Sequence, residues 1–480
     1  MESLTNYPAS QLKAKLDRFI KPSLQAGLLV ILLGIYAYFL FYHLGARPFI
    51  DWDESIYAQV AKEAFLNHHY LSFTFWGNHW FEKPPLMLWT TILGFKTFGI
   101  NELGARFFVA VFAFGTIILT LLLVKKISRS FLAVFLTLAC FAVCYQFFFN
   151  SFFLQFDTAI TFFVLLSIYA FLLGLEQPKF FYLFFVGLAL GVLTKSVIGL
   201  LPLPIVFIYL LVSRQFRLLN NKHFYYGSAV FAVLVLPWHI WESIKFGKSF
   251  WNVYLLYHVF DRYIKPLENN GGPFSYYFPV LWQNSVFKAL LVVSVPYFVF
   301  QSYKKNLNYF LLLLASVFIF LFFSLAQTKG YSYIVVMYPY IMAMFGLTLN
   351  DLLGKSPFKI LKFAAIGVLV VVFLGLGWQE QNYKILSLEN SADAMPYAAN
   401  KNIAAFINDK YPAETIYVKS WVEGNLAFEY YLGRTVTGLP KNLPPNLALP
   451  PNFDVGPRYR VFHQIKRSVY RLPGYLYISP

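Results

Sequence analysis

Asp51, Asp53 and Glu54 stand within four positions of one another, and Glu82-Lys83-Pro84-Pro85 follows, both just beyond the first long apolar run. A carboxylate can orient a hydroxyl or take its proton. A lysine held between an acid and a stiff Pro-Pro pair suits a phosphate oxygen. Asp157 interrupts the Phe-rich stretch 147–156, where a carboxylate is costly unless paired or facing an aqueous cavity. Lys195 follows Gly191-Val192-Leu193-Thr194 and precedes another apolar run. His258 and Arg262 are spaced to share a helical face, and a guanidinium can grip a phosphate through two parallel hydrogen bonds. Lys329 and Tyr333 bring a cation and a phenol to one narrow turn. Each residue also has an ordinary structural explanation. Asp53 and Asp157 can cap helices, Glu54 suits a first-turn dipole, Lys83 can anchor at an interface, Arg262 can pair with Asp261 or Glu268, and interfacial tyrosines form belts.

The elements that must carry these groups are mostly membrane spans. Apolar runs long enough to cross a bilayer lie near 24–44, 103–124, 131–149, 157–175, 180–195, 197–213, 225–241, 276–300, 308–326, 332–350 and 361–378. The pattern predicts an α-helical polytopic membrane protein with about 11 spans, 11–13 at the outside, and an odd number. Lys125, Lys126, Arg129, Lys179, Arg214, Arg217, Lys222, Lys304, Lys305, Lys355, Lys359 and Lys362 then share the side of the basic N-terminus. The positive-inside rule makes that side cytoplasmic. The loops carrying Asp53, Lys83, Asp157, Lys195, Arg262 and Lys329 fall outside.

Composition agrees. Apolar residues make up 58% and charged ones 13%, against roughly 45–50% and 25% in a soluble domain. The net charge of +17 fits cationic loops beside anionic headgroups better than a nucleic-acid surface, so no nucleic-acid partner is expected. Cys140 and Cys144 lie inside an apolar run and give neither a disulfide framework nor metal spacing. The first 22 residues read as a cytoplasmic lead-in helix, and the apolar run behind them, without a small-residue cleavage site, as a retained anchor. The outer loop 45–102 carries a helix over 54–66, with Asp53 placed to cap it, and an apolar run 86–100 that suits a helix lying on the membrane. Residues 1–378 thus form the membrane domain. The tail 379–480 reads as a small α/β module outside the membrane, with helices over 398–409 and 425–431, strands over 415–418 and 475–478, and a Pro/Gly-rich stretch at 439–457.

Several segments resemble the integral-membrane glycosyltransferases that use polyprenyl-phosphate sugars. These are the protein O-mannosyltransferase superfamily, and the similarity is greatest to its bacterial lipid A aminoarabinose transferase branch. The resemblance rests on Asp51-Trp52-Asp53-Glu54-Ser55-Ile56-Tyr57-Ala58, Trp80-Phe81-Glu82-Lys83-Pro84-Pro85-Leu86 and 98–106. It continues through Asp157-Thr158-Ala159, Leu193-Thr194-Lys195-Ser196, 258–262, 272–279, 324–333 and Tyr338-Pro339. It implies a GT-C fold with a cavity open to the outer leaflet. It also implies a catalytic acid at Asp53, a further acid at Asp157, and donor-phosphate contacts at Lys83, Lys195, Arg262, Lys329 and Tyr333; the residues by themselves add Glu54 as a support for Asp53 and His258 beside Arg262. Two departures stand out. The turn Lys329-Gly330-Tyr331-Ser332-Tyr333 lacks the proline common there, and Ser196 stands where glycine is common.

Together these readings predict transfer of a sugar from a polyprenyl (undecaprenyl) phosphate donor to an envelope acceptor, at the periplasmic face of a bacterial inner membrane, with inversion. The acceptor stays open among lipid A phosphate, a protein hydroxyl and another envelope glycan; the sugar stays open among aminoarabinose, mannose and other hexoses. A channel or transporter would place its ionisable groups along a midplane route, although a flippase for lipid-linked sugars would also need cations near phosphate. No metal is required: the carboxylates near Asp53 could hold a divalent cation, but no ligand spacing calls for one. A monomer in contact with membrane lipids is expected.

Overall fold

The computed structural model describes residues 22–42, 44–50, 52–142, 144–282 and 285–354, and within the tail residues 401, 404–405, 408–409, 416–418, 425–433, 437–438 and 476–478. The chain forms a bundle of apolar helices whose site-facing ends carry the charged groups. The helices are α1 (Pro22–Phe41), α2 (Asp53–Asn67), α3 (Leu86–Phe98), α4 (Glu102–Ser128), α5 (Phe131–Ala142), α6 (Tyr145–Ser151), α7 (Phe156–Gly174) and α8 (Phe181–Lys195). They continue with α9 (Pro202–Ser213), α10 (Lys222–Phe246), α11 (Ser285–Tyr303), α12 (Leu307–Leu325) and α13 (Tyr338–Gly354).

Among the described residues eight helical segments are long and apolar enough to cross a membrane. The pair α5–α6, bent by 71°, makes a ninth if it is one span. The expected span at 197–213 is instead the 12-residue α9 behind a short 3-10 turn, and the expected span at 361–378 lies outside the described residues. The protein is a polytopic α-helical membrane protein. Its core is continuous through α4, α5, α7, α8, α12 and α13, and includes both free cysteines. Side-chain size sets the closest approaches. A Cβ on Gly94 would fall 2.0 Å from the Gly104 carbonyl oxygen, so α3 and α4 touch backbone to backbone only because both positions are glycine.

The first loop packs on the bundle as its own apolar cluster. Phe49, Tyr57, Val60, Phe73, Trp80, Met87, Phe95, Val109 and Phe156 are buried together. A two-stranded hairpin, β1 (Thr74–Phe75) with β2 (Asn78–His79), closes on α2, where the Glu63 carboxylate accepts the Trp76 N–H at 2.6 Å and the Thr74 hydroxyl at 2.7 Å. The expected cap on α2 is not made by Asp53. The helix begins at Asp53 itself, Trp52 holds the cap position, and no side chain caps it. Glu54 serves the helix start instead, accepting the Ile50 N–H at 2.8 Å.

In the tail, α14 (Asn425–Leu432) and the strands β3 (Ile416–Val418) and β5 (Leu476–Ile478) fall where the sequence predicts them. The strands form a sheet in the order β4-β3-β5, β4 (Thr437–Gly438) parallel and β5 antiparallel to β3. The stretch 439–457 lies outside the described residues. α14 docks on α2 and the start of α4: the Tyr431 hydroxyl donates to Glu102 at 2.9 Å and accepts the Phe49 N–H at 2.7 Å, while Lys62 donates to the Tyr430 carbonyl at 3.1 Å.

Glu54 and Arg106 are buried, at 3% and 1% exposure. Removing one partner of such a pair strands the other's charge and costs about 3–5 kcal/mol. Glu54→Ala is therefore expected to lower the thermal midpoint in detergent sharply; unfolding indistinguishable from wild type would show that the pair does not hold the loop.

Candidate active site

Six stretches far apart in sequence bring their charged side chains to one cavity of about 530 Å³. The α2 start gives Asp53, the 81–85 turn gives Glu82 and Lys83, the α7 start gives Asp157, and the α8 end gives Lys195. The segment behind α10 gives His258, Arg262 and Glu268, and the turn between α12 and α13 gives Lys329 and Tyr333. Phe149, Phe156, Phe322 and Phe323 complete apolar walls. Helix termini explain the convergence: a bundle of apolar spans can hold ionisable groups only where its helices end.

Asp157 sits at the second residue of α7 rather than at its cap, which is Gln155. It is buried, and its Oδ1 lies 2.7 Å from the Lys195 Nζ. That ammonium also stands 4.4 Å from the centroid of the Tyr333 ring. The Tyr333 hydroxyl accepts from Arg262 at 3.1 Å, and Arg262 pairs with Glu268 at 2.6 Å. Asp157, Lys195, Tyr333, Arg262 and Glu268 therefore form one connected chain, with the neutral Tyr333 joining two ion pairs. Among the described residues Lys83 makes one ion pair, with Glu82 at 3.9 Å. Burial pushes the Lys83 ammonium below its usual range, partly offset by Glu82 and Asp53, while Arg262 and Lys195 add to the fall. An anion arriving there would restore the charged form.

Lys329 is 4% exposed and donates to the carbonyls of Phe323 at 3.1 Å and Ser324 at 2.6 Å. It lines the cavity but spends two of its three donors on the last turn of α12, in the manner of a C-terminal cap. His258 lies on a π-helix, Asn252–Asp261, a rare conformation that is frequent at functional sites. Burial first, then Lys83 and Arg262, push its imidazole down to about 2, and its buried Nδ1 has no hydrogen-bond partner among the described residues.

Glu54 is the one candidate the structure places elsewhere. It does not line the cavity. Its carboxylate holds Arg106 at 2.7 and 2.9 Å and accepts the Leu154 N–H at 2.8 Å. The acid next to Asp53 in sequence thus turns its side chain inward, since adjacent helical residues point about 100° apart. Its side chain stands in the scaffold between α2, α4 and α7, away from the cavity where it was expected. Asp51 lies outside the described residues. Sequence reasoning gave no role to Arg106, whose signal was a lone guanidinium at the mouth of an apolar run. Nor did it single out Trp52 or the contact between the Tyr254 hydroxyl and His239 Nε2 at 3.0 Å.

Two backbone outliers flank the charged groups. Trp52, before Asp53, has φ 70° and ψ −120°. Ser196, after Lys195, has φ 50° and ψ −130°. Side-chain-bearing residues rarely adopt this region, and it costs on the order of 1–3 kcal/mol each. At Ser196 the turn sends the chain back so that Gly199 abuts Gly191, where a Cβ on Gly191 would lie 3.0 Å from the Gly199 Cα. This reversal points Lys195 at Asp157.

The site thus belongs to a polytopic membrane protein that gathers cations and carboxylates at one face of its bundle. The family described as dolichyl-phosphate-mannose-protein mannosyltransferase matches residues 82–241. An uncharacterised Aquifex aeolicus protein is 29% identical over 67% of the chain and 69% of its own length. An undecaprenyl phosphate-alpha-4-amino-4-deoxy-L-arabinose arabinosyl transferase of Pseudomonas fluorescens is 29% identical over 72% of the chain, which spans 64% of that relative. The crystal structure of ArnT from Cupriavidus metallidurans in the apo state superposes with a TM-score of 0.73 at 18% identity, over 86% of each chain. The same protein bound to undecaprenyl phosphate gives 0.70. The chain thus shares the fold of ArnT and is similar in sequence to the mannosyltransferase family over residues 82–241 and to the aminoarabinose transferases over most of its length.

Because the folded state refuses a proton at His258 that the unfolded chain accepts below pH 6.5, stability is expected to fall as pH drops from 6.5 towards about 2. His258→Gln should flatten this part of the profile in thermal melts at pH 7.0 and pH 4.5. An unchanged slope would remove His258 from the acid response.

Proposed function

We propose that the protein is a glycosyltransferase that moves a sugar from undecaprenyl phosphate to an envelope acceptor, lipid A first among them, at the periplasmic face of the inner membrane. The observation that carries this reading is the meeting of Asp53 with Lys83, Lys195 and Arg262 in one cavity. Eleven spans, with the tail as a small periplasmic α/β module, would put that cavity opposite the basic loops.

The donor is a phosphodiester with one negative charge. When its anomeric C–O bond breaks, the departing polyprenyl phosphate gains a second. Cations fixed beside that oxygen therefore bind the transition state more tightly than the ground state. At an effective dielectric of about 20, each cation roughly 4 Å from the new charge contributes on the order of 4 kcal/mol. Lys83, Lys195 and Arg262 are assigned this task, with the Tyr333 hydroxyl as a neutral donor and Asp157 holding Lys195 in place. Asp53 takes the acceptor proton, or orients an acceptor phosphate that is already ionised, as the acceptor oxygen attacks from the opposite face with inversion. The neutral His258 and the anchored Lys329 shape the phosphate end. These cations supply the countercharge, so transfer is expected to proceed without a divalent cation and by the monomer.

Purified protein given undecaprenyl phosphate-linked aminoarabinose and lipid A should form glycosylated lipid A, detected by mass spectrometry, and continue after exhaustive chelation. Asp53→Asn is expected to lower kcat by about 10²–10⁴. Full turnover by that variant would remove the acid from the mechanism, and relocation of an intact donor with no new bond would mark a transporter.

Glu268 occupies Arg262 before any phosphate arrives. Glu268→Gln should tighten binding of undecaprenyl phosphate about three- to tenfold, roughly 0.6–1.4 kcal/mol. Weaker binding would mean that Glu268 orders the guanidinium instead of competing for it.

A further inference from the structure

Trp52 is 55% exposed and lines the same cavity as Asp53. Among the described residues its indole has no recorded hydrogen bond, ring contact or cation partner, although such contacts fill the surrounding walls. Tyr57, one turn further along α2, packs edge-on to Phe156 at 4.6 Å and to Trp80 at 6.1 Å. A large apolar ring normally gains its stability by burial, and this one gains little. It is moreover held by the left-handed backbone at the α2 cap position, which favours glycine. Strain of that kind persists where the surroundings fix it, and it clusters at ligand sites. Here the Trp52 carbonyl accepts the Ile56 N–H at 2.9 Å and Glu54 fixes Ile50 on the other side. The backbone is thus locked in a form that presents an open indole next to the reacting acid.

We infer that Trp52 is the platform on which a pyranose ring stacks during transfer. This rests on the glycosyl-transfer reading above. The C–H face of a sugar ring carries slight positive charge and meets the negative face of an indole, while its hydroxyls stay free at the rim. A membrane-belt tryptophan would need no strained backbone and no place in the cavity wall. The cations take the phosphate of the donor, which leaves the carboxylate side, where Trp52 stands, for the rings being joined. Trp52 touches substrate in this reading and sets sugar preference, while bond-making stays with Asp53.

The test uses the full-length protein in nanodiscs, with undecaprenyl phosphate-aminoarabinose or undecaprenyl phosphate-mannose as donor, lipid A as acceptor, and undecaprenyl phosphate as the sugar-free control. Trp52→Ala and Trp52→Gly should weaken sugar recognition roughly three- to tenfold, and Trp52→Phe should recover part of it. If the ring belongs to the donor, affinity for the sugar-bearing donor falls while that for undecaprenyl phosphate holds. If it belongs to the acceptor, the KM for lipid A rises while donor affinity holds. Trp52→Gly should in addition melt no lower than wild type, because glycine relieves the backbone, which separates lost recognition from lost folding. Active wild type with both constants unchanged in Trp52→Ala and Trp52→Gly would overturn this inference alone. Wild type that transfers neither sugar would overturn the parent reading and this one with it.

Discussion

The buried pair of Glu54 and Arg106 is the contact on which the rest of the site depends. Glu54 reaches three places at once: the Ile50 N–H before its own helix, the Arg106 guanidinium on α4, and the Leu154 N–H just ahead of α7. Arg106 in turn donates to the carbonyls of Leu44, Arg47 and Pro48 at 3.1, 2.7 and 3.0 Å. One carboxylate and one guanidinium therefore fix the loop that carries Asp53 against the segment that leads to Asp157. A buried ion pair is poor evidence for net stability, because desolvation opposes its Coulomb energy. Its value here is geometric: it satisfies loop backbone groups that a water-poor interior would otherwise leave unpaired.

Around that anchor the cavity balances its own charge. Lys195 leans on Asp157, Arg262 on Glu268, and Lys83 on Glu82. Cations crowded without such partners would lose protons or repel one another; at His258 burial first, and then Lys83 and Arg262, depress the imidazole. The looser partners, Glu82 at 3.9 Å and the partly exposed Glu268, are the ones an arriving phosphate can displace. Asp157 is buried and close, so it stays. A site for a phosphate-borne substrate can in this way hold several cations while empty and still release their charge to the ligand.

The tail contributes through α14, whose Tyr431 hydroxyl joins Glu102 to the Phe49 N–H. Phe49 also packs against the Arg106 guanidinium at 5.2 Å. The tail thus presses on the same anchor from the far side. It braces the loop that holds Asp53 and brings no charged group to the described cavity lining.

The sequence by itself determined the membrane class, the helical bundle and nearly all of the cavity's charged residues. Charges are so unfavourable among apolar spans that Asp53, Lys83, Asp157, Lys195, Arg262 and Lys329 stand out without any coordinates. Their clustering at helix ends followed from the same cost. Tertiary structure alone decided what each does. Asp53 and Glu54 are adjacent and chemically alike, yet one faces the cavity and the other the core, because a helix turns them to different sides. Lys329 and Lys195 are equally lone cations in sequence, yet one caps α12 while the other is aimed by a strained turn at Asp157. Lys329 finds its carbonyls within its own turn, but Glu54 meets Arg106 and Lys195 meets Asp157 across separate segments, and local spacing carries no record of which distant partner will arrive.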